Sequence, residues 1–105
     1  MDRRTVMRSV KKYVAELKAA GIKIDRAVLF GSYATKQNTK DSDIDVAIIS
    51  RDFGKNPIEE NKFLFLKTIG INTRIEPRAI SLRDFENGDD SPLIFNIKHS
   101  SIKVG

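Results

Sequence analysis

Two carboxylates and a Gly-Ser pair stand where one apolar run ends and the next begins. Leu29-Phe30-Gly31-Ser32 closes the first run, and Asp43-Ile44-Asp45 opens the second after a gap of ten residues. Alternate side chains of a strand project from one face, which would place Asp43 and Asp45 together, roughly 6.6 Å apart along the backbone. Such carboxylates repel each other unless a cation lies between them, and Mg²⁺ favours oxygen ligands and substrate phosphates. The pattern predicts a magnesium–nucleotide site.

The composition is that of one soluble globular domain, and we expect a single domain over residues 1–105. Of the 105 residues, 40% are hydrophobic and 31% are charged, as in ordinary globular proteins. The absence of cysteine excludes disulfides and thiolate metal sites. The apolar runs are far shorter than the ~20 residues that span a bilayer, and no secretory signal follows the first residues. We therefore expect a cytoplasmic protein with no membrane association.

The net charge of +5 reflects 19 Lys and Arg against 14 Asp and Glu. A basic balance favours polyanionic partners such as nucleotides, RNA or an acidic protein surface. The basic residues of the first predicted helix are interpreted first as a solvated face, with a binding patch as the alternative.

Hydrophobic spacing predicts the elements that carry the site. A first helix begins at Asp2 and ends at Gly21, with apolar residues at helical spacing. Residues 27–30 suit a strand buried on both faces, and residues 33–42 a short helical turn plus loop. Residues 43–49 alternate, so that Ile44, Val46 and Ile48 face the core and the two Asp residues begin the opposite face.

The patterns in the second half of the sequence predict a helix, a strand and two short helical segments. Asn56-Pro57 opens a helix that runs to Ile69, with Glu59 as a capping-box residue. Its apolar stripe predicts a well-buried helix; the stripe comprises Ile58, Phe65, Leu66 and Ile69, widened by Phe63 and Leu64. Residues 72–80 form the third predicted strand, in which Pro77 indicates either a sheet edge or a point where pairing ends. A helical turn over 81–84, a loop over 87–90 and a helix over 91–98 complete the prediction.

Glu76 is the best-placed third carboxylate, because it lies on a strand expected to pair beside the Asp strand. The alternative is an exposed edge residue paired with Arg74 or Arg78. Gly31 could likewise be only a turn residue and Ser32 only a helix cap. His99 is the single histidine, so neither a hydrolytic triad nor a histidine metal cluster can be assembled.

The pattern Gly31-Ser32, ten residues, Asp43-x-Asp45 resembles the signature of the nucleotidyltransferase superfamily typified by DNA polymerase beta. The sequences at 30–34 (FGSYA), 42–46 (SDIDV) and 74–77 (RIEP) are similar to its minimal nucleotidyltransferase (MNT) branch. The likeness extends from about residue 24 to the C-terminus.

The resemblance implies an α/β fold with a small mixed β-sheet flanked by helices. It implies a two-metal Mg²⁺ site at Asp43 and Asp45, with Glu76 assisting the second metal or activating the acceptor hydroxyl. Gly31 and Ser32 would contact the phosphates of ATP, the nucleoside triphosphate substrate. MNT proteins are often encoded beside a HEPN-domain protein, a helical RNase-type toxin, and some act as antitoxins by transferring AMP to a toxin tyrosine.

One departure from the family pattern concerns the loop after the Gly-Ser pair. The family often carries Arg or Lys followed by Gly where this chain has Thr35 and Lys36, although Lys36 can still reach a phosphate. Three hypotheses stay open: AMP transfer to a partner protein, a catalytically inactive antitoxin that acts by binding, and a small basic nucleic-acid-binding protein. Nucleic acid could also be reached through the partner.

Overall fold

The computed structural model describes residues 2–39, 41–88 and 91–104. Its elements, in chain order, are α1 (Arg3–Ala19), β1 (Arg26–Phe30), α2 (Ser32–Thr35), β2 (Ile44–Ser50), α3 (Pro57–Leu66), β3 (Ile75–Ser81), α4 (Leu82–Asn87), α5 (Pro92–His99) and β4 (Ile102–Lys103). The predicted loop at 87–90 falls partly outside this description, since Asp89 and Asp90 are not among these residues, and the same holds for Lys40 in the loop before β2.

The described strands form one mixed sheet in the order β3-β2-β1-β4. β2 runs parallel to β3 and antiparallel to β1, and β4 pairs with the other side of β1. The predicted edge position of Pro77 is confirmed, because β3 is an outer strand. A parallel pair needs a crossover between its strands, and α3 supplies it.

Helices cover both faces of the sheet, which confirms the predicted α/β fold. On one face, α1 buries the predicted apolar positions against Ile44, Val46 and Ile48. On the other, α4 and α5 cover Ala47 and Ile49. β2 is therefore buried on both sides along most of its length; Asp45 lies near its start, and Asp43 precedes the strand.

The start of α1 also fixes α2, which follows the Gly-Ser pair. Asp2 caps α1 by accepting a hydrogen bond from the Thr5 amide at 2.8 Å. The Arg3 guanidinium donates to the carbonyls of Tyr33 at 2.9 Å and Ala34 at 3.0 Å. These contacts satisfy carbonyls at the end of α2 and hold that short helix against the body of the domain.

The prediction of a long, well-buried third helix is wrong. α3 ends at Leu66 rather than at Ile69, and only Leu64 among its residues is buried. The predicted stripe of Ile58, Phe65, Leu66 and Ile69 is exposed, because α3 packs on the outer strand of the sheet and leaves one side uncovered. An amphipathic pattern shows that a face is apolar but not what covers it.

Smaller differences from the sequence prediction concern the N-terminal cap of α3 and the strands β3 and β4. Asn56 caps α3 as predicted, but Glu60, not Glu59, reaches back and accepts hydrogen bonds from the amides of residues 54–56. The predicted third strand begins at Ile75 instead of residue 72. β4 was not predicted, since two residues are too short to produce a periodic pattern.

Two buried tyrosines give a matched test of the packing. The Tyr13 hydroxyl donates to the Leu64 carbonyl at 2.7 Å, whereas the buried Tyr33 hydroxyl has no hydrogen-bond partner within the described ranges. Tyr13→Phe should lower the free energy of unfolding by about 1–2 kcal/mol, and Tyr33→Phe should leave it unchanged or raise it by up to about 1 kcal/mol. Urea unfolding of both variants checks the prediction; equal losses would contradict it.

Candidate functional site

The sheet register brings Asp45 and Glu76 side by side. Asp45 of β2 pairs with Glu76 of β3 in the parallel ladder, and with Phe30 of β1 on its other side. Paired residues of neighbouring strands project from the same face, so the two carboxylates lie together. Glu76 is exposed on the outer strand, so the alternative of an edge residue paired with Arg74 or Arg78 stays open, and its membership in the site remains a prediction.

Gly31 allows the Gly-Ser turn to lie directly against the Asp45 carboxylate. It has φ +74, in the left-handed region that favours glycine. A Cβ added at Gly31 would overlap the Asp45 carboxylate oxygen and lie 3.1 Å from its carboxyl carbon. The glycine is thus required both by the backbone conformation and by the close approach to Asp45.

The Asp45 carboxyl is the electrostatically perturbed group of the site. Burial, the charges of Glu76 and Asp43, and a hydrogen bond with Glu76 together raise its pKa from an ordinary value of 3.8 to about 6. Only Arg78 opposes this effect among the causes identified. Excess negative charge in a half-buried position is what a bound cation would relieve.

Asp43 lies just outside β2, at the exposed end of the same carboxylate group. The strand begins one residue later, at Ile44, so the predicted strand start at 43 is displaced by one residue. Arg74 holds the start of β2 in place. Its Nη2 donates to the Ser42 carbonyl at 2.9 Å, and its own carbonyl accepts from the Ile44 amide at 2.9 Å. Arg74 therefore joins the starts of β2 and β3.

The carboxylates fit a divalent cation by donor type and charge. Asp43 and Asp45 supply oxygen ligands. The raised pKa of Asp45 is due in part to repulsion by the charges of Glu76 and Asp43, which a bound cation would reduce. In the described part of the chain, no group of three or more acidic, histidine or cysteine side chains is already arranged around a cation position. Asp43, Asp45 and Glu76 as the full metal-binding set remain a prediction.

A polar pocket of about 350 Å³ opens beside the Gly-Ser turn. Gly31 and Ser32 line one side, and Asn96 and Ser100 of the α5 end line the other. Sequence reasoning missed Asn96 and Ser100, because nothing in the chain near them points to a ligand and only the tertiary packing of α5 brings them to this place.

Lys36 ends α2 in the left-handed conformation, with φ +62. The family glycine of the resemblance would stand at this position, so the chain keeps the backbone shape of the loop without glycine, at a cost of about 1 kcal/mol. Lys36 is exposed and is not among the residues that line the pocket beside Ser32. Its phosphate-binding role remains a prediction.

The chain belongs to the nucleotidyltransferase domain family, whose family model matches residues 7–103. The matched range contains the Gly-Ser turn, both predicted Asp ligands and Glu76. This result confirms the superfamily assignment. No curated protein matches the chain significantly.

Solved structures of similar fold include a candidate nucleotidyltransferase from Sulfolobus solfataricus, with 13% identity and a TM-score of 0.71 over 96% of this chain and 80% of that chain. A toxin–antitoxin structure with AMP-PNP has 19% identity and a TM-score of 0.58, covering 89% and 70% of the respective chains. A mutant of the toxin–antitoxin pair MntA-HpeT has 18% identity and a TM-score of 0.58, covering 88% and 68%. At these identities the likeness establishes the fold.

Within residues 2–39, 41–88 and 91–104, no helix has the length and apolar character needed to cross a membrane.

Proposed function

We propose that this protein is a cytoplasmic Mg²⁺-dependent nucleotidyltransferase that transfers AMP from ATP to a tyrosine of a partner protein, a HEPN-type toxin, for which it acts as antitoxin. The pairing of Asp45 with Glu76 against Gly31 is the observation that carries the proposal. Family membership supports the reaction class, and the toxin–antitoxin structures of similar fold support the kind of partner.

The residues divide the chemistry between them. The acceptor oxygen forms a bond to the α-phosphorus of ATP, the bond to the β-phosphate breaks, and pyrophosphate leaves. Gly31 and Ser32 would hold phosphate oxygens, and Asp43 and Asp45 would hold the cation. Bound Mg²⁺ would neutralise phosphate charge and align the attacking and leaving oxygens. Glu76 accepts the proton of the acceptor hydroxyl.

The acceptor is proposed to lie on another polypeptide because the toxin–antitoxin structures of similar fold support a separate partner protein. All described elements are used to build one sheet and its two covering layers. A separate polypeptide can deliver a hydroxyl to Glu76 from the exposed side of β3, the outer strand.

The proposal is tested by incubating the protein with ATP labelled at the α-phosphate, Mg²⁺ and the product of the neighbouring gene. We expect label on a tyrosine of that product, located by mass spectrometry as an added AMP group. Label retained only in free nucleotide, with both proteins folded and mixed at micromolar concentration, would reject AMP transfer.

A second candidate is an inactive antitoxin that acts by covering its toxin. The departure from the family pattern at Thr35 and Lys36 is the observation that favours this candidate. Coexpression with the toxin in cells distinguishes AMP transfer from inhibition by binding. Full protection of the cells from the toxin by the Asp43→Asn, Asp45→Asn protein would mean that binding suffices. Loss of protection would mean that transfer is required.

The basic nucleic-acid-binding hypothesis has one supporting surface. A groove of about 610 Å³ is lined by Arg4, Arg8 and Lys11 of α1, with Met7 and Ile102 as apolar neighbours. Binding dominated by phosphate contacts would weaken steeply with added salt. No shift of labelled RNA or DNA at low salt would remove this hypothesis.

A further inference from the structure

Large apolar side chains are exposed along one side of α3 and the turn that follows it. We call this surface the α3 stripe; it comprises Ile58, Phe65, Leu66 and Ile69, with exposed fractions of 80%, 57%, 50% and 61%. Ile58 and Phe65, seven residues apart, lie on one face of α3 with Leu66 next to them, and Ile69 follows in the turn after the helix. Contiguous exposed apolar surface of this kind marks an interaction site.

The α3 stripe adjoins the candidate active site through Phe65. This side chain forms one wall of a pocket of about 450 Å³ that Glu76, Arg78 and Leu93 also line. A group entering the pocket beside Phe65 would therefore reach the carboxylate proposed to accept the acceptor proton. A pocket with an aromatic wall, apolar neighbours, a carboxylate and a guanidinium fits an aromatic side chain bearing a hydroxyl.

We propose that the α3 stripe is the docking surface for the acceptor-bearing partner protein, and that the Phe65 pocket receives its acceptor tyrosine. This inference rests on the proposed function, since it assigns the partner of the same site. The partner presents apolar side chains to the stripe and carboxylates around them.

Charge supports a separate, acidic partner rather than a second copy of this chain. Lys62 lies within the stripe between Ile58 and Phe65, is exposed, and has no ion-pair partner in the described ranges. In a two-fold contact centred on the stripe, Lys62 would face its own copy, and like charges oppose such a contact. A carboxylate of a different protein would satisfy Lys62 instead.

The edge of β3 favours docking by side chains over the addition of another strand. The outward amide of Ala79 already donates to the Asn61 side-chain oxygen at 2.9 Å, and the Ile75 amide donates to Asn72 at 3.1 Å. Pro77, between them, has no amide hydrogen. An extended peptide would find few donors along this edge.

The test measures binding of the neighbouring gene's purified product to the protein and to a Phe65→Ser, Leu66→Ser variant, by isothermal titration calorimetry. We expect at least tenfold weaker binding by the variant, and weaker binding by Lys62→Glu. Phe95→Ser is the matched control, because Phe95 is a 53% exposed phenylalanine on α5; it should bind as the unmodified protein does. Thermal unfolding checks that each variant is folded.

Each result decides the proposal. Equal binding by the stripe variant and the unmodified protein would overturn it, as would absence of binding by the unmodified protein. Light scattering that shows a dimer of this chain, dissolved by Phe65→Ser, Leu66→Ser, would assign the stripe to a second copy and also overturn it. If the product binds through the stripe but receives no label from ATP, the docking surface stands and the proposed AMP transfer fails.

Discussion

Replacing Gly31 with Ala is expected to lower AMP transfer by at least about a hundredfold while the protein stays folded. The added Cβ overlaps the Asp45 carboxylate, so either Asp45 moves or the Gly-Ser turn moves away from it. Displacement of one preorganised electrostatic group costs about 10²–10³ in rate. The measurement is the initial rate of label transfer, accompanied by a thermal unfolding curve.

Gly21→Ala is the matched control for this prediction. Gly21 also has positive φ, at +96, but a Cβ there would have no atom within 4 Å. Both variants carry the backbone strain of about 1–2 kcal/mol, and only Gly31→Ala disturbs the site. Equal transfer rates for the two variants would show that the close approach of Gly31 to Asp45 has no catalytic role.

Asp45→Asn is expected to abolish transfer and, at neutral pH without Mg²⁺, to stabilise the protein. The pKa of Asp45 is about 6 in the folded protein against 3.8 ordinarily. The folded state therefore binds more protons than the unfolded state between these values, and stability falls as pH rises from about 4 to above 6. Asn removes this penalty, which is roughly 1–3 kcal/mol.

Urea unfolding at pH 4 and pH 7.5 measures this effect. The stability gain of Asp45→Asn should be present at pH 7.5 and small at pH 4, and added Mg²⁺ should stabilise the unmodified protein more than the variant. Asp41→Asn, an exposed carboxylate in the preceding loop, is the control and should show neither effect. A gain that is the same at both pH values would contradict the assigned electrostatic cause.

The sequence predicted the central strand well because its pattern is local. The alternation of Ile44, Val46 and Ile48 with the opposite face follows directly from the two-residue period of a strand, and the structure buries these residues as expected. The position of Glu76 beside Asp45 required one further assumption, that β3 pairs with β2. The register confirms that assumption.

Features that depend on distant packing could not be predicted in the same way. Asn96 and Ser100 face the Gly-Ser turn only because α5 folds back onto the sheet. The α3 stripe has the same pattern as a core-facing helix, so its exposure follows from where α3 lies at the edge and not from its sequence. The stripe was therefore predicted as core, although its residues now indicate an interface.

The left-handed backbone conformation of Lys36 is a further feature that could not be predicted from the sequence. The chain has Lys36 where the family often has glycine, but the backbone there retains the conformation that glycine favours. The departure at Thr35 and Lys36 is therefore a weaker argument against catalysis than the sequence suggests.

The most direct test of the central claim is label transfer from α-labelled ATP to the neighbouring gene's product, with the Asp43→Asn, Asp45→Asn protein beside the unmodified one. Calorimetric binding of both to the product ensures that a loss of label is not a loss of docking. We expect label on the product with the unmodified protein and none with the double variant, at equal binding. Label that persists at the same rate with both carboxylates replaced would contradict it.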